Sequence, residues 1–121
     1  RRQRQMCKET VVVKDTVNQK NITIPENEII YAQADNIYAE VVTAQGIFLY
    51  SNKISLLEKE LNEAYFYRSN RSYIVNFNYI IGYSKKEIEF SNGQKALISS
   101  SKFKDFKSKY LNYLKRKSIG E

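Results

Sequence analysis

The strongest constraint on the fold is a series of short runs rich in β-branched and aromatic residues, each ended by turn-forming residues. Such runs are typical of β-strands. In the first half of the chain they predict five strands, at residues 9–14, 20–24, 28–34, 37–43 and 46–50. The short polar connections between them predict an antiparallel meander.

A second group of strands is predicted after residue 64. Residues 65–67 and 73–75 are strand-like and flank a polar segment, and residues 87–90 and 95–98 flank the dipeptide Asn92-Gly93. This dipeptide predicts a hairpin with a two-residue turn, because both central positions of that turn need a positive φ.

Two helices are predicted, one between the two groups of strands and one after them. The first is indicated by apolar residues at helical spacing, which are Ile54, Leu57, Leu61 and Ala64. Ser55 and Glu58 have the spacing of a capping box, in which each side chain satisfies a backbone amide of the first turn. The second helix is predicted after residues 99–101, three serines that are N-cap candidates. The order of elements predicts an α+β fold that is predominantly antiparallel β.

The chain is basic, and its charge is unevenly placed. The net charge is +7, and a length of 121 residues fits one domain. Four bases lie in residues 1–8 and seven in residues 102–117, whereas residues 9–101 have nine bases against eleven acids, a net charge of −2. This balance predicts a polyanionic partner. Because the chain begins with Arg, we interpret residues 1–8 as a basic linker or the remnant of a longer chain, residues 9–117 as the domain and residues 118–121 as a tail.

The residue types that most enzyme and metal sites require are missing. The chain has no His and one Cys, which excludes a disulfide within it and the usual zinc sites, and its four glycines form no phosphate-binding loop. We therefore expect no catalytic activity, no cofactor and no metal. No apolar run approaches the roughly 20 residues needed to span a bilayer, so we expect a cytoplasmic protein that is not bound to a membrane.

Residues 66–76 are the most informative stretch for function. Two arginines and an amide, Arg68, Arg71 and Asn70, lie at a strand corner between hydrophobic runs. Arginine can donate to phosphates or bind guanine through two hydrogen bonds, and Asn can pair in the same way with adenine. The alternative is structural, since Arg68 or Asn70 can instead satisfy backbone groups in a tight turn.

The same stretch resembles the hallmark of LytTR-type DNA-binding domains, the output modules of many bacterial response regulators. That hallmark reads approximately F-x-R-x-H-R-S-[FY]-[IV]-V-N. The matching positions are Phe66, Arg68, Arg71, Ser72, Tyr73, Ile74, Val75 and Asn76. The segments EIIYAQADNIYAEVVT, ISLLEKEL and SNGQKALISSS also resemble the family, so the likeness covers roughly residues 9–114.

This resemblance implies an elongated, mostly β fold in which loops, rather than a recognition helix, reach into successive grooves of DNA. By matching position, the contacts would come from three loops whose candidate residues are Asp35, Asn36, Arg68, Asn70, Arg71, Ser99, Ser100, Ser101 and Lys102. Two positions depart from the family pattern. Asn70 replaces the usual His and Ser100 the usual Arg, and Ser101 or Lys102 could compensate in the third loop.

The sequence therefore predicts a transcriptional regulator that binds double-stranded DNA sequence-specifically. The resemblance further implies an upstream receiver domain and pairs of molecules on promoter repeats. An RNA-binding or protein-interaction module is the alternative, with exposed Tyr and Lys as its surface, and docking of the basic ends on an anionic membrane is a weaker one. The Lys residues of the closing helix are interpreted as a solvated face.

Overall fold

A computed structural model describes residues 10–118 of the chain. The strands are β1 (Thr10–Asp15), β2 (Lys20–Pro25), β3 (Ile29–Asp35), β4 (Tyr38–Thr43), β5 (Gly46–Tyr50), β6 (Phe66–Asn70), β7 (Tyr73–Asn76), β8 (Ile80–Tyr83), β9 (Glu87–Phe90) and β10 (Lys95–Leu97). The helices are α1 (Ile54–Glu60) and α2 (Phe103–Ser118). The predicted α+β, mostly antiparallel fold is confirmed. The proposed linker at residues 1–8 and residues 119–121 of the tail lie outside the described part.

The strands form a seven-stranded sheet in the order β2-β1-β5-β4-β3-β7-β6 and a three-stranded sheet in the order β10-β9-β8. The prediction of a simple meander in the first half is wrong, because β2 does not pair with β3. After Pro25 a 3-10 turn over Glu26–Glu28 redirects the chain, and β1 pairs with β5 through its second edge. This order leaves β3 beside β7, so that segments far apart in sequence become neighbours.

The large sheet is covered on both faces around β7. Ile74 of β7 belongs to a buried cluster with Ile54 and Leu57 of α1, whereas the next residue, Val75, belongs to a cluster with Phe106 of α2 and with residues of the three-stranded sheet. Successive residues of a strand point to opposite faces, so β7 is buried on both. Helix α1 therefore covers one face there, and α2 with the small sheet covers the other.

The hairpin around Asn92 and Gly93 is confirmed, but its predicted two-residue turn is wrong. The Gly93 amide donates to the Phe90 carbonyl and the Phe90 amide donates to the Gln94 carbonyl, both at 2.9 Å. Of the two central residues, Gly93 alone has a positive φ, at 89°. This is a three-residue loop in which a glycine in the left-handed region follows a β-turn, the next most common hairpin connection.

We expect Gly93→Ala to lower the free energy of unfolding by about 1 to 2 kcal/mol, because a Cβ is strained at a positive φ. Gly82→Ala is the matched control, since Gly82 has no positive φ and no atom lies within 4 Å of its would-be Cβ. The control should leave stability unchanged within about 0.5 kcal/mol or raise it slightly. Urea denaturation of both variants measures the difference, and equal losses would contradict the assignment of strain to Gly93.

Both helices begin differently from the prediction. The capping box of Ser55 and Glu58 is wrong, because α1 already begins at Ile54, after Lys53, and has no side-chain cap. Burial of Ile54 against the sheet moves the start ahead of Ser55 and leaves Glu58 free to meet another partner. At the second helix, a 3-10 turn over Ser100–Lys102 precedes α2, and Ser99 makes no side-chain capping hydrogen bond there.

Candidate nucleic-acid interface

Three loops carry the candidate DNA-contacting residues. We call them the corner loop (residues 35–37, the last residue of β3 and the turn to β4), the arginine loop (residues 68–72, the end of β6 and the turn to β7) and the serine loop (residues 99–102, before α2). In sequence, the first and last are separated by more than 60 residues. In the structure the three loops are hydrogen-bonded neighbours, and we call the surface that they form the edge.

Backbone and side-chain hydrogen bonds join the three loops. The Ala34 amide, next to the corner loop, donates to the Ser72 carbonyl of the arginine loop at 2.8 Å. On its other side, the arginine loop is hydrogen-bonded to the serine loop: the Ser99 amide donates to the Ser69 carbonyl at 2.8 Å. Asn70 Nδ2 also donates to Ser99 Oγ at 3.4 Å. The arginine loop is therefore the middle member of a continuous edge.

The corner loop presents Asp35 and Asn36, which are both exposed. Asn36 has a φ of 59°, a left-handed conformation that Asn tolerates better than most residues. Neither side chain makes a hydrogen bond or ion pair to any other residue between positions 10 and 118. Both polar groups are therefore available to a ligand.

The arginine loop contains one engaged amide and one free guanidinium. Asn70 Oδ1 accepts from the Ser72 amide at 2.9 Å, which is the turn-stabilising role that the structural alternative assigned to it. The side chain of Arg71 is exposed and has no hydrogen-bond or ion-pair partner in the described part of the chain. Arg71 is thus the free cation at the centre of the edge.

Arg68 differs from Arg71 because its guanidinium is held inside the protein. Nε donates to the Asn70 carbonyl at 3.2 Å, and Nη2 donates to the Arg71 carbonyl. Nη1 forms an ion pair with Glu58 Oε1 of α1 at 2.8 Å. The side chain of Arg68 is 17% exposed. Arg68 therefore shapes the loop, which is the role that the structural alternative assigned to it, whereas Arg71 faces solvent.

The serine loop also contains both side chains that face solvent and side chains that bind within the protein. Ser100 and Ser101 are exposed, and their side chains make no hydrogen bond to the described residues, whereas Ser99 is half-buried. Lys102 Nζ donates to the Arg68 carbonyl at 3.1 Å and lies 5.9 Å from the centre of the Tyr67 ring. Lys102 therefore ties this loop to β6 instead of projecting freely.

Sequence reasoning missed three side chains that support this edge. Ser69 is fully buried and its Oγ donates to the Leu97 carbonyl at 2.8 Å, a position that strand alternation from Tyr67 could have flagged as inward. The Tyr67 hydroxyl donates to Asp105 Oδ2 at 2.7 Å, and burial together with this carboxylate raises the pKa of Tyr67 above its ordinary value. Glu58, the partner of Arg68, gave no signal, because its contact joins separate elements.

Between residues 10 and 118 no group of three or more Cys, Asp or Glu side chains is arranged to hold a metal ion. No helix in that range is long and apolar enough to cross a membrane. An open groove of about 800 Å³ runs beside the edge and has Glu58, Glu63, Arg68 and Lys102 in its lining, so its walls carry both signs of charge.

The chain is similar to known DNA-binding domains. The family model of the LytTr DNA-binding domain matches residues 19–111. One similar solved structure is described as the LytTr DNA-binding domain of a methyl-accepting/DNA response regulator from Bacillus cereus. It is 23% identical, has a TM-score of 0.72, and the match covers 85% of this chain and 96% of that one, which shows a shared fold. No curated protein matches the chain in sequence. Since the family model spans well over half of the chain, this protein belongs to the LytTR family of DNA-binding domains.

Proposed function

We propose that this domain binds double-stranded DNA sequence-specifically through the corner, arginine and serine loops and has no catalytic activity of its own. The observation that carries the proposal is the convergence of the three loops on one edge, where exposed polar side chains lack partners within the described residues. Unpaired donors and acceptors on a surface joined by backbone hydrogen bonds suit the edges of base pairs, whose hydrogen-bonding groups occupy fixed positions in a groove.

Each loop would supply a different chemistry. Arg71 can donate two parallel hydrogen bonds to guanine, and the Asn36 amide can both donate to and accept from adenine. The Ser100 hydroxyl can reach either a base or a phosphate, but it lacks the charge of the arginine usual at this place in the family. Asn70 keeps only one N–H of its Nδ2 for a base, because its Oδ1 accepts from Ser72 and the other N–H donates to Ser99. We therefore expect Arg71 and Asn36 to contribute more to specificity than Ser100.

We further propose that the domain is the output part of a two-component transcription factor in the bacterial cytoplasm. The similar Bacillus cereus domain, which is described as part of a response regulator, supports this context. An upstream receiver domain would control the protein, and two copies would bind repeated half-sites in a promoter.

Selection of bound sequences from a random duplex pool tests this function. We expect an enriched motif that binds roughly a thousandfold or more tightly than random duplex, with log affinity falling as log salt concentration rises. Single-stranded RNA of random sequence is the comparison. A pool without an enriched motif would count against sequence-specific DNA binding, and tighter binding to the RNA would favour an RNA-binding module instead.

A further inference from the structure

The structure gives Arg68 a position in which it controls the backbone around Arg71. Its guanidinium binds the carbonyls of Asn70 and Arg71, the two residues at the tip of the arginine loop. An arginine has five N–H donors in a rigid fork, and these two contacts fix the orientation of that fork. The Arg71 side chain leaves the backbone at the point that Arg68 holds.

These contacts make Arg68 a poor candidate for direct base contact. To reach guanine with two parallel hydrogen bonds, its fork would have to leave the two carbonyls and the Glu58 carboxylate. That release would also break the hydrogen bond to the Arg71 carbonyl, so the Arg71 side chain would no longer be held in one direction. The burial of Arg68, at 17% exposure, agrees with an internal role.

Glu58 holds the third side of the same guanidinium. It lies on α1, outside all three loops, and its Oε1 is 2.8 Å from Arg68 Nη1. Without this carboxylate, the long Arg68 side chain would gain rotamer freedom and could turn toward solvent or toward DNA phosphates. The ion pair selects the rotamer that binds the loop carbonyls.

We infer that Glu58 is a positioning residue for DNA reading, which acts through Arg68 to set the direction of Arg71. The inference rests on the proposed function. It assigns a role in DNA recognition to an acidic side chain, although an acid near DNA is ordinarily unfavourable for binding because it repels phosphates.

The repulsion of phosphates and the positioning of Arg71 predict different effects of removing Glu58, so the two roles can be told apart by measurement. If Glu58 affected binding only through its charge, its removal would strengthen binding to every duplex by the same factor. If Glu58 positions the arginine loop, its removal lowers the ratio of affinities for preferred and random duplex. Glu63 is a matched control because it is exposed, lines the same groove and has no ion-pair partner among the described residues.

The experiment measures binding of the preferred duplex, taken from the selection above, and of random duplex. Glu58→Ala should lower the affinity ratio about three- to fivefold, the effect that a half-exposed ion pair supports. Glu58→Gln removes the same charge but keeps an acceptor for Arg68, so it should retain part of the ratio. Glu63→Ala should leave the ratio unchanged. A ratio unchanged in Glu58→Ala, with melting temperature intact, would overturn the positioning role.

Repeating the measurement in an Arg68→Lys variant separates the positioning role of Glu58 from a simple loss of stability. Arg68→Lys keeps the positive charge and loses the fork, so it should lower the affinity ratio by itself. In that background Glu58→Ala should cause no further fall, because its route to the loop is already lost. An equal fall in both backgrounds would overturn the role. If the unmodified protein preferred no duplex at all, the proposed function would fail as well, whereas a preference that Glu58→Ala leaves undiminished would overturn this inference alone.

Discussion

Replacing Arg71 with Ala is expected to weaken binding to the preferred duplex by about 1 to 3 kcal/mol, roughly a five- to 150-fold rise in Kd. Under the proposed function, the Arg71 guanidinium, which is exposed and lacks a partner among residues 10–118, would make two parallel hydrogen bonds to one base, and the variant loses both. Binding to random duplex should weaken less, because only one charge is lost. Titrations of both duplexes at one salt concentration measure the two changes.

Two variants separate the fork of Arg71 from its charge. Arg71→Lys keeps the charge without the fork, so it should bind random duplex almost normally and lose most of the preference. Lys104→Ala removes an exposed base from α2 and should weaken both duplexes by similar factors. If Arg71→Ala instead weakened preferred and random duplex equally, Arg71 would be a phosphate contact.

The elements of this fold could be predicted because their causes are local. Strand alternation and turn formers located nine of the ten strands in the described residues but missed β8, and the serines at 99–101 indicated the start of a closing helix. The strand order could not be predicted in the same way. The pairing of β1 with β5, and of β3 with β7, depends on contacts between distant segments that no short window of sequence contains.

The candidate site, too, could be predicted from the sequence only in part. The resemblance to the LytTR family marked three loops, but their union along one edge follows from the pairing of β3 with β7 and from hydrogen bonds such as Ser99 to Ser69. The sequence left two roles open for Arg68, base contact or stabilisation of a tight turn. The contacts of Arg68 with the Asn70 and Arg71 carbonyls and with Glu58 of α1 support the second role, and no local pattern predicts the contact with Glu58.

Charge and specificity are separate properties of this chain. The bases concentrate in residues 1–8 and 102–117, whereas residues 9–101, which include most of the three loops, carry a net charge of −2. Bulk charge attracts any duplex, since phosphate neutralisation does not depend on sequence. The preference for one sequence would then depend on a few loop side chains held at fixed angles. The contacts behind the loops must therefore hold these side chains in a precise geometry.

One of these supporting contacts is the packing of α2 against the sheet through Phe106. This ring is fully buried, and its centre lies 5.7 Å from that of Tyr67, 5.4 Å from that of Tyr83 and 5.7 Å from that of Tyr110. Phe106→Ala should lower the free energy of unfolding by about 3 to 5 kcal/mol, the usual cost of deleting a buried aromatic ring. That is a large part of the roughly 5 to 15 kcal/mol that stabilises a domain.

Urea denaturation followed by far-ultraviolet circular dichroism measures this loss, which suits a chain without Trp. Leu111→Ala is the control on the same helix, because Leu111 is 44% exposed and its truncation should change stability by no more than about 0.5 kcal/mol. Equal effects of the two variants would show that α2 is not anchored through Phe106. A large effect of Phe106→Ala alone would show that Phe106 anchors α2, the helix into which the serine loop directly leads.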